Sequence, residues 1–148
     1  MMIKSLIRIA LCGLLLLIGT QVKAQEGLKI ASVFEKYSKQ KGATYVVLTR
    51  METELWDASL YKSLKLKRAE KALPDIYSSL VADSEQAKKI KEVITDGQIQ
   101  SGYYSLPPIR ENVNRFILFR LGAKGDAVLL YIEGEIKDEA LLRSLYGF

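Results

Sequence analysis

The residues that could do chemistry are carboxylates, tyrosines, serines and lysines, because the chain of 148 residues has no histidine and one cysteine, Cys12. Without histidine, the Ser-His-Asp and Cys-His catalytic arrangements and histidine-ligated zinc or haem are excluded. Two Ser-x-x-Lys matches, at 38–41 and 59–62, lack the other sequence elements of that enzyme class, so we interpret them as chance matches. Glycine-rich phosphate loops and calcium-binding loops are absent from the sequence. The sequence therefore predicts no cofactor and no metal site.

One pair of carboxylates has a spacing that suits catalysis. Glu133 and Glu135 are two residues apart in a predicted strand, so they face the same side about 7 Å apart. Such a pair could serve glycoside hydrolysis. A second interpretation pairs Glu133 with Arg115 and leaves Glu135 in solvent, and we favour it because structural ion pairs are commoner than active sites. A carboxylate-dependent hydrolase acting on envelope or extracellular substrates is therefore the alternative function.

An aromatic segment stiffened by proline, at residues 103–108, is the candidate binding surface. Its members Tyr103, Tyr104 and Leu106 precede two prolines, and tyrosine rings on a rigid backbone suit contacts with a peptide or a glycan. A second interpretation places one tyrosine in the core and uses the prolines to stop an edge strand. The leading hypothesis is a non-catalytic binding or interaction domain whose partner is an envelope protein, a peptide or a glycan.

Charge is concentrated in one run of five cations, opposed only by Glu70: Lys62, Lys65, Lys67, Arg68 and Lys71. Lipid headgroups or acidic polysaccharide would be the anionic partners in an exported protein, and a solvated face is the other interpretation. The chain has 22 Lys and Arg against 17 Asp and Glu, but three of these cations and no anion lie in the first 24 residues. The remainder is close to neutral, so we expect no nucleic-acid partner.

The first 24 residues have the three parts of a secretory signal. Lys4 and Arg8 supply the positive charge, residues 9–18 form an apolar core, and residues 22–24 form a small-residue cleavage site. This core is shorter than the roughly 20 residues that span a bilayer. Cys12 lies within the core and not after it, which argues against lipidation. We expect cleavage near Ala24 and a location in the periplasm or outside the cell, with an uncleaved anchor as the alternative.

The predicted mature chain, residues 25–148, has a length that suits a single domain without a transmembrane segment. The spacing of apolar residues predicts helices at 28–41 (ended by Gly42), at 51–58, from Pro74, from Asp83 to Gly97 and from Asp138. A buried strand is expected at 43–49 and another strand at 98–105. Residues 59–73 remain open between strand and helix.

The clearest local prediction is a β-hairpin of residues 112–121 and 126–135. A three-residue loop would pair residues whose numbers add to 248, which places Arg115 across from Glu133. Both faces of this hairpin are apolar, so each must be covered, either by helices or by a second subunit in a homodimer. The predicted fold is an α+β domain, with an antiparallel sheet that includes this C-terminal hairpin, packed by several helices, one of them C-terminal.

Several segments resemble a family of small exported proteins of Gram-negative bacteria that is catalogued as a domain of unknown function. The similar segments are the leader ending in Ala24-Gln25, then 33–37, 44–47 with Met51, and the closing residues 129–136. The resemblance covers most of residues 28–146 and implies location in the envelope. It implies no activity and no functional residues.

Overall fold

The computed structural model describes residues 27–52, 57–137 and 140–141. Within these residues there are two helices, α1 (Ile30–Tyr37) and α2 (Leu73–Ser84). The strands are β1 (Ala43–Leu48), β2 (Met51–Glu52), β3 (Asp57–Leu66), β4 (Lys88–Thr95), β5 (Gln98–Arg110), β6 (Val113–Leu121) and β7 (Ala127–Glu135). Residues 59–66, which the sequence left open between strand and helix, belong to β3.

All seven strands form one antiparallel sheet in the order β1-β3-β7-β6-β5-β4, with β2 beside β3. Strands β4 to β7 are consecutive hairpins, and β3 pairs with β7 and carries β1 at the far edge. Asp96 and Gly97 both have positive φ, 52° and 77°, as a two-residue type I′ hairpin loop requires. The predicted α+β domain packed by several helices is wrong. The described chain is mostly antiparallel sheet with two short helices, because segments predicted as helical form strands.

Helix α1 forms where the spacing of apolar residues predicted it, and it buries Ile30, Val33, Phe34 and Tyr37. The carboxylate of Asp83, near the end of α2, accepts hydrogen bonds from the backbone N–H groups of Lys29 and Ile30 at 2.7 and 2.9 Å. These bonds satisfy two free donors at the start of α1 and place a negative charge at the positive end of its dipole. Asp83 is therefore a helix cap, but it caps α1 and not a following helix.

The predicted helix from Asp83 to Gly97 is wrong, because most of it is strand β4. The pairing of β4 with β5 shifts register twice, between Lys89 and Lys91 and between Val93 and Ile94. Such shifts break the alternation of apolar and polar residues that would indicate a strand. Ile90 and Ile94, four residues apart, consequently resemble one face of a helix in the sequence.

The predicted helix at 51–58 is also wrong at its described ends, which belong to β2 and to the start of β3; residues 53–56 lie outside the described part of the chain. Strand β5 passes through the two prolines to Arg110, beyond the predicted end at Ser105. The predicted C-terminal helix from Asp138 falls on residues of which only 140 and 141 are described. Those two residues are helical, and helices α1 and α2 both precede β4 in the chain.

The core is divided between the two faces of the sheet. Helices α1 and α2 cover the face that contributes alternate strand residues, among them Leu64, Leu66, Ile117, Phe119, Leu129 and Tyr131. A second cluster on the opposite face contains Ala58, Tyr103, Phe116, Leu118, Ile132, Ile136 and Leu141. The register predicted for the β6–β7 hairpin is confirmed, including Arg115 across from Glu133. Neither helix of the described chain is long and apolar enough to cross a lipid bilayer.

Candidate functional site

The predicted binding segment at 103–108 lies mostly inside the protein. The side chains of Tyr103 and Tyr104 are fully buried and that of Leu106 is nearly so. Tyr103 stacks on Phe116 with ring centroids 5.8 Å apart, and the Tyr104 hydroxyl donates to Glu92 Oε2 at 2.6 Å. Burial, together with this bond to a carboxylate, raises the pKa of Tyr104. In this arrangement the three side chains pack the core and offer no surface to a partner.

The acidic pair Glu133 and Glu135 is divided between the interior and the solvent. Glu133 is 5% exposed and accepts a hydrogen bond from the Tyr131 hydroxyl at 2.7 Å, whereas Glu135 is exposed at the end of β7. Burial raises the pKa of Tyr131, and the neighbouring carboxylate raises it further. The Arg115 guanidinium, opposite Glu133, donates to the Pro107 carbonyl oxygen at 2.8 and 3.0 Å. Because one carboxylate is enclosed, the pair does not form an accessible hydrolytic site.

No group of three or more acidic, histidine or cysteine side chains that could hold a metal ion occurs among residues 27–52, 57–137 and 140–141. Several single carboxylates instead accept hydrogen bonds from tyrosine hydroxyls. Asp75, for example, accepts from the Tyr37 hydroxyl and from Lys36 Nζ, the latter at 3.0 Å. These two donors lower the pKa of Asp75. This contact joins the two helices.

The edge strand β1 is apolar and exposed. Eight large apolar side chains are exposed in the described chain, and four of them, Tyr45 to Leu48, are consecutive in β1 with exposed fractions of 38–44%. One side of β1 pairs regularly with β3, from Ala43 opposite Leu66 to Leu48 opposite Tyr61. The register continues into β2, where Met51 lies opposite Ala58. On its other side no described strand pairs with β1, so its outward N–H and C=O groups can accept another strand.

A groove of about 700 Å³ lies between α1 and this edge. Phe34 and Tyr45, whose ring centroids are 5.9 Å apart, are among its lining residues, together with Leu28 and Ala31. Its charged lining residues are three cations and one carboxylate: Lys29, Lys39, Lys62 and Glu35. The groove is therefore apolar in part and carries a net positive charge.

The predicted run of cations is split by the fold into separate places. Lys62 lines the groove beside β1. Lys65 is exposed on β3, and Lys67, Arg68 and Lys71 line a second cavity beyond the end of that strand. The run is therefore not one continuous face.

Sequence reasoning identified β1 as a strand but missed its role as an exposed edge. Apolar and β-branched residues are typical of buried strands, and the segment was predicted to be one. An exposed edge strand differs from a buried strand in its position in the sheet. For β1 that position depends on the pairing of β3 with β7, which are distant from each other in sequence. Nothing local to residues 43–49 reports that pairing.

Comparison with known protein families finds one match. The model of a family of unknown function, DUF6108, matches residues 17–145. No curated protein and no solved structure matches the chain. The match covers most of the chain, and it assigns no activity.

Proposed function

Because the chain belongs to DUF6108, a family of unknown function, its role has to be inferred from its own surfaces, and we propose that it is a non-catalytic protein-interaction domain. The partner contributes an extended segment that adds to the sheet as a further strand beside β1. The observation that carries this proposal is the exposed, uncharged and regularly paired edge formed by residues 43–48. Strand addition is a recurrent way of binding extended peptides, with affinity from backbone hydrogen bonds.

The groove beside the edge favours a segment of another protein, and not a second copy of this chain, as the strand that pairs with β1. Successive side chains of an added strand project to opposite faces of the sheet, so every second one would point toward the groove lined by Phe34 and Tyr45. Pockets for alternate side chains provide specificity in this binding mode. A second copy would offer its own β1, which contains no charged residue to match the three lysines of the groove.

The charge of the groove indicates the chemistry of the partner. Lys29, Lys39 and Lys62 outnumber Glu35, so acidic residues on the added strand would be attracted and basic ones repelled. We infer that the partner segment alternates apolar and acidic residues.

This proposal is tested with two synthetic peptides of about eight residues, one alternating valine with glutamate and the other valine with lysine. We expect fluorescence anisotropy to show that the full chain binds the acidic peptide at least about tenfold more tightly than the basic one. On binding, hydrogen exchange of the backbone amides of residues 43–48 should slow, because their outward N–H groups become bonded.

Two matched variants locate the site. Val47→Glu places a carboxylate on the β1 edge, and Val93→Glu makes the same change on the β4 edge, at residues that are 44% and 40% exposed. The first should weaken the acidic peptide at least about tenfold and the second less than about twofold. Equal effects of the two variants, or exchange protection outside β1, would refute strand addition at this edge. A dimer that Val47→Glu dissociates would assign the edge to a second copy instead.

We also propose that the protein works outside the cytoplasm, after removal of the leader predicted at residues 1–24. The support is the arrangement of positive, apolar and small residues in that segment. Fractionation of the native cells followed by N-terminal sequencing should find the chain in the envelope or medium, beginning near Gln25. Recovery of the uncleaved chain from the cytoplasm would contradict this proposal.

A further inference from the structure

A cavity of about 740 Å³ lies where the loop after α1 meets the loop between β3 and α2. Four cations line it, Lys41, Lys67, Arg68 and Lys71, and Glu70 is the single carboxylate in its wall. The remaining lining residues are Gln40 and Gly42. This cavity is separate from the groove beside β1, and it has a net charge of about three positive units at neutral pH.

The two loops that carry these cations are tied to each other and to the rest of the fold. The Gln40 side-chain amide donates to the Arg68 carbonyl oxygen at 3.3 Å, and the Lys67 N–H donates to the Gly42 carbonyl oxygen at 3.2 Å. Gly42 has a φ of 84°, in the left-handed region that glycine adopts without strain. The cations therefore project from a backbone that is held in place before any ligand arrives.

A third hydrogen bond holds the loop between β3 and α2 against the β6–β7 turn. The N–H of Ala69 donates to the Gly125 carbonyl oxygen at 3.0 Å, and Ala69 itself is fully buried. An ideal Cβ at Gly125 would lie 3.5 Å from Glu70 Oε1, which places the Glu70 carboxylate beside the β6–β7 turn. The only anion of the wall thus lies toward one side of the cavity.

We propose that this cavity binds a ligand with clustered phosphate groups. Cations clustered on a hydrogen-bonded backbone favour an anion whose charges are close together, because bonds from Lys and Arg to phosphate oxygens are charge-assisted. The net charge of about three positive units exceeds the charge of about −2 that one phosphate group carries at neutral pH, which favours a ligand with two phosphates. The same chemistry is offered by a free diphosphate compound and by adjacent phospholipid headgroups.

The first probe is inorganic pyrophosphate, titrated into the purified full chain and followed by isothermal calorimetry. The second probe is a set of phosphatidylcholine vesicles with and without phosphatidylglycerol, followed by flotation. Binding of pyrophosphate alone assigns the cavity to a free ligand. Flotation only with the anionic vesicles, reversed by pyrophosphate, assigns it to a lipid surface.

Charge-reversal variants test whether the probes bind at the cavity. Arg68→Glu and Lys71→Glu should each weaken the observed binding at least about tenfold. Lys65→Glu is the control, because it alters the net charge equally at an exposed position of β3 outside the cavity lining. It should change the affinity for the probe less than about twofold. Should one reversal disturb folding, as seen by circular dichroism, the milder Lys71→Gln replaces it. Absence of binding to both probes, or equal loss with Lys65→Glu, would overturn the proposal.

Discussion

The sheet ends in β1 at one edge and in β4 at the other, and the two strands differ in charge and in regularity. Strand β1 contains no charged residue and pairs with β3 without a register shift. Strand β4 contains three lysines and a glutamate, and its pairing with β5 shifts register twice. Charged side chains and bulges are the usual means by which natural sheet edges avoid further pairing. By this criterion β4 is a protected edge and β1 is not.

The difference shows that exposure alone does not identify a docking edge. Val93 and Ile94 of β4 are 40% and 56% exposed, as much as Val46 and Val47 of β1. What separates the two edges is whether an incoming strand would meet a regular ladder of N–H and C=O groups. The register shift between Val93 and Ile94 interrupts that ladder at the two exposed apolar residues of β4.

We expect the largest loss of stability from a substitution between β3 and β7, where the β1 side of the sheet joins the hairpins of β4 to β7. An ideal Cβ at Gly134 would lie 2.2 Å from the Asp57 carbonyl oxygen and 2.7 Å from Ala58 Cα, both backbone atoms of β3. Gly134→Ala therefore has to push β3 away from β7, at a cost of about 3 kcal/mol or more in the free energy of unfolding. Because β3 is the described strand through which β1 joins the sheet, hydrogen exchange should accelerate in β1 and β3 before it does in β4 and β5.

Gly122→Ala is the control for that variant. Its new Cβ would also meet oxygen at 2.2 Å, but the oxygen belongs to the Asp126 side chain, which can rotate away. We expect a loss below about 1 kcal/mol in denaturant unfolding. If Gly134→Ala costs no more than Gly122→Ala, or if exchange accelerates equally at both edges, the view of β1 and β3 as a separately held unit is incorrect.

Features of the fold that depend on neighbouring residues could be predicted from the sequence. The four-residue apolar stripe of α1 needs only helical spacing, and the register of β6 and β7 follows from the length of the loop between them. Apolar residues on both faces of that hairpin correctly required cover on both sides. In each of these cases the determining residues belong to one helix or to one hairpin.

The features that were missed depend on distant parts of the chain. The sequence predicts a helix that starts at Asp83, but the helix whose start the Asp83 carboxylate caps begins more than fifty residues earlier. Tyr103 and Tyr104 have the composition of a binding surface, but they belong to the two core clusters, which contain residues as distant as Ala58 for Tyr103 and Ile30 for Tyr104. The β1 edge was missed for the same reason, since the sheet order decides which strand is last.

Two tyrosines donate hydrogen bonds to glutamates, one at the buried centre of the sheet and one near the β4 edge. We expect their replacement by phenylalanine to lower the free energy of unfolding by different, smaller amounts. Tyr131→Phe removes a donor from Glu133, which is 5% exposed, and should cost about 2 kcal/mol because a buried carboxylate loses a partner. Tyr104→Phe removes a donor from Glu92, but the Glu92 side chain is 17% exposed and keeps Lys89 Nζ at 3.6 Å. We expect a cost of about 1 kcal/mol there. Equal losses in denaturant unfolding would show that the edge is no better solvated than the centre.

Alkaline titration tests whether ionisation of these two buried tyrosines destabilises the folded protein. Burial and the adjacent carboxylates raise the pKa of both Tyr104 and Tyr131 in the folded protein. A group whose pKa is higher when folded contributes stability that is complete below its unfolded pKa, about 10 for tyrosine, and that is lost as the pH rises further. Each phenylalanine variant should therefore reduce the fall in unfolding free energy above that pH by up to about 1.4 kcal/mol per pH unit. If the slope is the same in the variants and the wild type, ionisation of these two tyrosines does not drive alkaline unfolding.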